Sequence, residues 1–221
     1  MRVSFMHSGG AEMASYRLRA AMPSAYCGYH SRLNATGADI TVFSKPRRIR
    51  VYAEKDAQVI PDTWENSGQP HADGNKYLWL GHQSNLKEIL PYRKMLKPYD
   101  MTYCTGPNDQ VECVPWSTAA QEQLLRQSNI VLLPSKEETY KSANRLINAI
   151  MSGCFVIASK IDINKEFRHF CYLGPVKGGL QFSQAYRHEL NALVRAGQQY
   201  IQQHYSPETL GRKWQSVFDS I

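Results

Sequence analysis

Apolar and polar positions in this chain fall into alternating short blocks that read as strand, helix, strand. Arg2–Met6 is a short apolar run leading to His7-Ser8-Gly9-Gly10. Residues 13–22, rich in Ala, Leu and Arg, suit a helix that Pro23 closes or restarts. Residues 26–35 read as a second helix ending at Gly37, and residues 39–43, with Ile40, Val42 and Phe43, as a strand. This is a βαβ-like order. Residues 49–53 and 58–60 are weaker strand candidates. Residues 62–75 are polar, contain Gly and Pro, and show no periodic face, so residues 67–75 are the expected linker to a larger second unit.

From residue 76 the pattern sharpens. Residues 77–80 form a strand broken by Gly81. Leu86, Ile89, Leu90, Met95 and Leu96 support a helix that Pro91 bends or restarts. Residues 101–104 and 111–114 are short strands, and Thr118 heads a helix with Gln121 as its capping-box partner. Residues 130–133 are continuously apolar, as in a central parallel strand covered on both faces. Residues 142–151 are helical up to a stop at Gly153, residues 155–158 are the next buried strand, and residues 164–170 a further helix. Residues 184–204 form a long helix. Ser206-Pro207-Glu208 then starts another: Ser as N-cap, Pro in the first turn, an acid at the positive helix end.

Composition narrows the function classes. A chain of 221 residues makes one large domain or two small ones. Its formal net charge of +7 suits anionic partners, whether nucleotides, phosphorylated lipids, a peripherally contacted membrane or nucleic acid. The densest basic run, Lys45-Pro46-Arg47-Arg48-Ile49-Arg50, has few aromatic neighbours to act as a stacking platform, so nucleic acid is the least favoured of these. Five cysteines, an odd number with no CxxC pair, read as buried free thiols in a reducing compartment. No apolar run reaches ~18 residues, the length of a membrane span. The chain enters a strand at once without a signal-peptide core. A cytoplasmic location is expected. The seven histidines do not pair at ligand spacing, so no metal site is expected.

The candidate chemistry lies at strand ends. Residues 134–145 join a buried strand to a helix, and ligands of open α/β sheets bind outside the C-terminal ends of strands. A helix start there offers free N–H groups and a favourable dipole for an anion. With Lys141 and Ser142 in its first turn and Arg145 four residues after Lys141, it makes a candidate diphosphate clamp. The competing reading is a solvated basic helix start. Ser135 belongs to the same turn, and Glu137 or Glu138 could accept from sugar hydroxyls. The turn after residues 77–80 contributes His82 and Asn85, and Ser84 or Asn85 suits the cap of the following helix. After the first strand, Gly9 and Gly10 permit close approach of a ligand, and Arg17 follows on the next helix.

In their order, these pieces resemble the donor-binding half of GT-B fold glycosyltransferases acting on nucleotide-activated sugars. The resemblance is carried by SNIVLLPS (128–135), KSANRLINAIMSG (141–153), CFVIAS (154–159), KYLWLGHQSNLKEIL (76–90) and SYRLRA (15–20). It implies an α/β chain of two Rossmann-like domains, the first much reduced. Residues 1–70 would be the acceptor side, 71–204 the donor-binding domain, and 205–221 a helix crossing back to the first. It also implies a nucleotide diphosphate sugar as donor substrate, an unidentified acceptor, no covalently bound cofactor, and catalysis in most cases without a metal. Lys141 and Arg145 would stabilise the leaving diphosphate with Ser142, and His7 would be the candidate base from the first domain. Many retaining members carry an E-x7-E pair; Tyr140 and Asn148 stand at those positions here. The short first domain leaves three arrangements open: a natural miniature, a homodimer in which a second chain completes the cleft, or a non-catalytic nucleotide-sugar binding module.

Overall fold

The computed structural model describes the backbone of residues 2–6, 30–33, 40–43, 63–135 and 143–220, and side chains from residue 63 onward. The chain divides into two compact units, Met1–Glu65 with Gln202–Ile221, and Asn66–Ile201. The sequence-based boundaries lie a few residues from these, at 70/71 and 204/205.

In the first unit, β1 (Arg2–Met6) lies between β2 (His30–Leu33) and β3 (Ile40–Phe43), and pairs in parallel with both. The helix expected over residues 26–35 is therefore replaced at its centre by a strand. His-Ser-Arg-Leu carries no apolar alternation, and it is pairing with β1, Arg2↔His30 through Phe5↔Leu33, that makes it extended.

The second unit is an α/β fold around a six-stranded, all-parallel sheet. Its strands are β4 (Lys76–Leu80), β5 (Asp100–Thr105), β6 (Val114–Pro115), β7 (Ile130–Leu133), β8 (Phe155–Ala158) and β9 (Tyr172–Leu173). They lie in the order β6-β5-β4-β7-β8-β9. Counted from β4 this is 3-2-1-4-5-6, the Rossmann order, and its direction reverses between β4 and β7. Connecting helices are α1 (Leu86–Ile89), α2 (Arg93–Leu96), α3 (Thr118–Gln127), α4 (Asn144–Met151), α5 (Val176–Ala185) and α6 (Leu190–Tyr205), the last running on into the first unit. α7 (Pro207–Asp219) follows there, with Ser206 Oγ accepting from Thr209 N as its cap.

Strand periodicity divides the core into two layers. Tyr77, Trp79, Ile130, Leu132, Phe155 and Ile157 pack with Leu86, Ile89, Leu96, Val176, Leu180, Leu190 and Val194. The alternate set, Leu78, Val131 and Val156, is equally buried, and α3 and α4 pack on β4, β7 and β8. Both faces are covered, which is why the central strands read as unbroken apolar runs.

Several local expectations shift. Residues 83–96 form α1, α2 and two short 3-10 turns, the second of which contains Pro91, so the helix is restarted there rather than bent. Ser117, not Thr118, caps α3 by accepting from Ala120 N, while Gln121 Oε1 accepts from Trp116 Nε1. Residues 162–167 form a 3-10 segment, and the helix expected over 184–204 is α6, which starts at Leu190 after a 3-10 turn at Arg187–Glu189.

The expected linker over residues 67–75 is a strap belonging to the second unit. Gly68 N donates to Met151 O and His71 N to Gly153 O. His71 Nε2 lies 2.9 Å from Ser128 O and its Nδ1 2.8 Å from Gln69 O. Asn129 donates to His71 O and accepts from Lys76 N, and Ala72 is fully buried. The segment looked like a linker because its polar groups bond to backbone, which leaves no apolar periodicity. Gln198 Nε2 meets the carbonyls of Gly68, Ile150 and Met151, satisfying the α4 C-terminus, which Gly153 closes at φ +100°.

Candidate functional site

The site is the crevice at the β4–β7 switch point, where the loop after β4 and the loop after β7 leave the sheet at the same edge. β4 pairs with β5 as far as Leu80↔Cys104, but with β7 only at Tyr77↔Ile130 and Leu78↔Val131. Beyond Leu78 the two strands no longer share a ladder, so carbonyls there need other donors. Arg145, one residue into α4, supplies one: its Nη1 donates to Leu80 O at 3.1 Å.

Arg145 is half-buried as a residue, but its guanidinium is desolvated, which holds its pKa below the usual arginine value, while the neighbouring Glu88 carboxylate acts in the opposite direction. Glu88, in α1, is 5% exposed, and Ser135 Oγ donates to its Oε1 at 3.5 Å. Ser135 N donates to Ser159 Oγ at 2.7 Å, joining the ends of β7 and β8, and Asn164 Nδ2 donates to Ser159 O. The crevice floor is thus a polar cluster of Glu88, Arg145, Ser135 and Ser159 set at the ends of three apolar strands.

Of the residues expected to bind ligand, the structure brings Ser135 and Arg145 together here through Glu88. Arg145 has one donor committed to the backbone rather than its whole fork free for a ligand. His82 and Asn85 lie in the loop after β4. His82 is exposed and Nδ1 accepts from Ser84 N, so this histidine, rather than Ser84 or Asn85, caps the short turn that begins the loop. Asn85 is half-buried and makes no side-chain cap bond. α4 begins at Asn144 with Ala143 as an N-cap lacking a side-chain bond. Lys141, Ser142, Glu137 and Glu138 lie outside the described residues, as do His7, Gly9, Gly10, Arg17 and the basic run 45–50. Asn148, at the second E-x7-E position, is 6% exposed and donates to Asn144 O one turn back.

Glu88 and Ser159 were not singled out by the sequence. Leu86-Lys87-Glu88-Ile89 reads as an amphipathic turn with both charges outward, and only the fold turns Glu88 inward. Ser159 carries a weak signal, standing one residue past a buried strand.

Three of the described cysteines are buried thiols. Cys154 Sγ donates to Leu125 O and Ser128 O, and burial pushes its thiol up to about 12. Cys104 is pushed up to about 11 and Cys171 to about 12, again by burial. Such thiols stay protonated at neutral pH. Among the described residues, no cluster of three or more His, Cys, Asp or Glu could hold a metal ion, and no helix is long and apolar enough to cross a membrane.

In comparisons with known proteins, no family model matches the chain and no curated protein sequence matches it.

Proposed function

We propose that the chain is a nucleotide-sugar-dependent glycosyltransferase whose second unit holds the donor diphosphate at the β4–β7 switch point. One observation supports the reading: the strand order reverses between β4 and β7, and Arg145, one of the residues selected from sequence as an anion contact, donates to Leu80 O at the end of β4. The sequence resemblance to GT-B fold donor-binding halves supplies the ligand class, and with it the finer expectation that the first unit is the reduced acceptor half.

In this reading an acceptor oxygen forms a bond to the anomeric carbon as the bond to the diphosphate oxygen breaks. The leaving diphosphate takes the electron pair, and the acceptor proton passes to a base, for which His7 is the candidate. Charge develops on the diphosphate, so catalysis rests on fixed positive groups and N–H donors aimed at it. Lys141, Ser142 and the uncommitted donors of Arg145 fill that role, with His82, Asn85 and Ser135 lining the approach. Gly9, Gly10 and Arg17 are the candidate ligand contacts of the first unit, and Glu137 or Glu138 would accept from sugar hydroxyls. A homodimer and a peripheral membrane contact remain parts of the same proposal, the first to complete a short acceptor half and the second to match the +7 charge.

The test is incubation with a panel of nucleotide sugars and candidate acceptors, reading nucleotide release, with calorimetry against nucleoside diphosphates. Release that depends on acceptor supports transfer. Neither release nor nucleoside diphosphate binding would sink the proposal. A second reading, a non-catalytic nucleotide-sugar binding module, is favoured by Asn148 being engaged within its own helix and by Arg145 serving the backbone. Tight binding without turnover across donors would select it.

A further inference from the structure

A recess of about 410 Å³ lies at the outer edge of β5, across β4 from the switch-point crevice. Its lining includes Arg93 from α2, Met101 and Tyr103 from β5, and Val111, Glu112 and Val114 from the segment that enters β6. The recess exists because the two strands differ in length. β6 pairs with β5 only at Cys104↔Val114 and Thr105↔Pro115. Among the described residues, β5 from Asp100 to Tyr103 therefore has no strand beside it on this edge. Burial follows the pairing: Cys104 and Thr105 are buried, while residues 100–103 are exposed or half-buried.

Strand alternation fixes which peptide groups face outward. Trp116 N donates to Thr105 O on the β6 side, and Gly81 N donates to Cys104 O on the β4 side. Met101 and Tyr103 are in phase with Thr105, so their N–H groups turn to the open edge, where no strand accepts from them. Edges protected from strand addition carry charges, a proline or a covering element. Beyond Asp100 at its start, this edge has no charge and no proline, and the recess leaves it uncovered. Arg93 and Glu112, both exposed, line the recess with one charge of each sign, and among the described residues neither makes an ion pair.

These features select a ligand class. A small apolar ligand would leave the edge N–H groups and both charges unmatched. A nucleic-acid strand would meet a carboxylate and a single guanidinium. An extended peptide brings carbonyls for the N–H groups, apolar side chains for Met101, Val111 and Val114, and charges of either sign. At about 3.3 Å per residue, Asp100–Tyr103 offers about 13 Å of edge, enough for a short added strand. We propose that this edge is a peptide-docking groove, in which an extended segment of a partner protein, with an acidic residue for Arg93 and a basic one for Glu112, adds to β5 as a strand. The inference is independent of the glycosyltransferase reading.

The test uses the full chain and fluorescein-labelled hexapeptides that alternate valine and threonine, with one glutamate and one lysine placed in every order. Binding is read by anisotropy, and the same peptides N-methylated at alternate amides serve as controls. At saturation, amide exchange at Met101 and Tyr103 should slow about tenfold while β7 and β8 are unchanged. Alkylation of Cys113, a partly exposed thiol in the recess lining, should slow in parallel. Arg93→Glu should weaken binding of the preferred peptide about fivefold and favour its counterpart with glutamate and lysine exchanged. Met101→Pro removes an outward N–H without breaking a ladder bond and should abolish the protection at Tyr103. No binding by any member of the set at millimolar concentration overturns the proposal. So does binding that leaves exchange at Met101 and Tyr103 unchanged, or that N-methylation does not weaken. Should Met101→Pro fail to fold, Arg93→Glu decides, and an unaltered charge preference overturns the proposal.

Discussion

Arg145 donates through Nη1 to the carbonyl of Leu80, and the residue next in the chain, Gly81, leaves room for that guanidinium. A Cβ at position 81 would lie 3.0 Å from Arg145 Nη1 and 3.0 Å from Trp79 Cζ2. Trp79 is fully buried and cannot retreat without disturbing the core. Gly81→Ala should therefore cost about 1–3 kcal/mol, as overpacking does. Urea denaturation of the variant checks this; a change within about 0.5 kcal/mol would mean that the crevice floor yields freely.

Replacing Arg145 tests how far the residue belongs to the frame. Arg145→Ala leaves Leu80 O without its donor and Glu88 without its neighbouring positive charge, a loss of about 2–4 kcal/mol. A side chain that served ligand alone would cost under about 0.5 kcal/mol. Arg145→Lys keeps the charge but not the planar fork, and its stability should fall between the two. Denaturation midpoints at constant m-value report the difference.

Three buried thiols set a boundary on alkaline stability. Cys104, Cys154 and Cys171 are raised from about 9 to about 11, 12 and 12. The folded chain keeps these protons after the unfolded chain has lost them, so the stabilisation is complete below pH 9 and declines as pH rises toward 11–12. Within that window each thiol contributes a slope of up to about 1.4 kcal/mol per pH unit. Denaturation under reducing conditions at pH 8, 9.5 and 10.5 should show a steepening fall. Iodoacetamide labelling of the native protein at pH 8 should spare these three and, among the described cysteines, modify the partly exposed Cys113 first.

Gly153 is constrained by conformation and by space. Its φ is +100°, and a Cβ would lie 2.1 Å from Gln69 O, in the strap. Gly153→Ala should cost at least about 2 kcal/mol. Because the clash falls on the strap, hydrogen exchange at Gly68 and His71 should rise more than exchange in β7 or β8.

Ser206 is a cap whose partner is visible: Oγ accepts from Thr209 N at 3.0 Å. Ser206→Ala should cost about 1 kcal/mol, and Ser206→Gly only a few tenths. Thermal unfolding of the pair separates lost capping from altered backbone.

The strands β4, β7 and β8, the Gly153 stop and the Ser206 cap were legible because each signal is local: an apolar run buried on both faces, a glycine in a left-handed turn, a serine before proline. Position 30–33 was not, because strand pairing there overrides a sequence with neither apolar alternation nor β-branched residues. Residues 67–75 were read as a linker for a related reason, since their bonds go to backbone carbonyls of distant elements. At the site, the turn after β7 could be located from strand-end geometry alone. Glu88 could not, because the inward turn of one acid on a four-residue helix depends on how α1 sits over the end of β4.

The strap also bears on where the chain can be cut. A cleavage or insertion between residues 75 and 76 would fall before the first strand of the six-stranded sheet and look harmless by strand count. It would remove the acceptors and donors that close the C-terminus of α4 and hold Asn129. A fragment intended to carry the switch-point crevice alone should therefore begin at or before Asn66, so that the apparent spacer, residues 67–75, travels with it as part of its foundation.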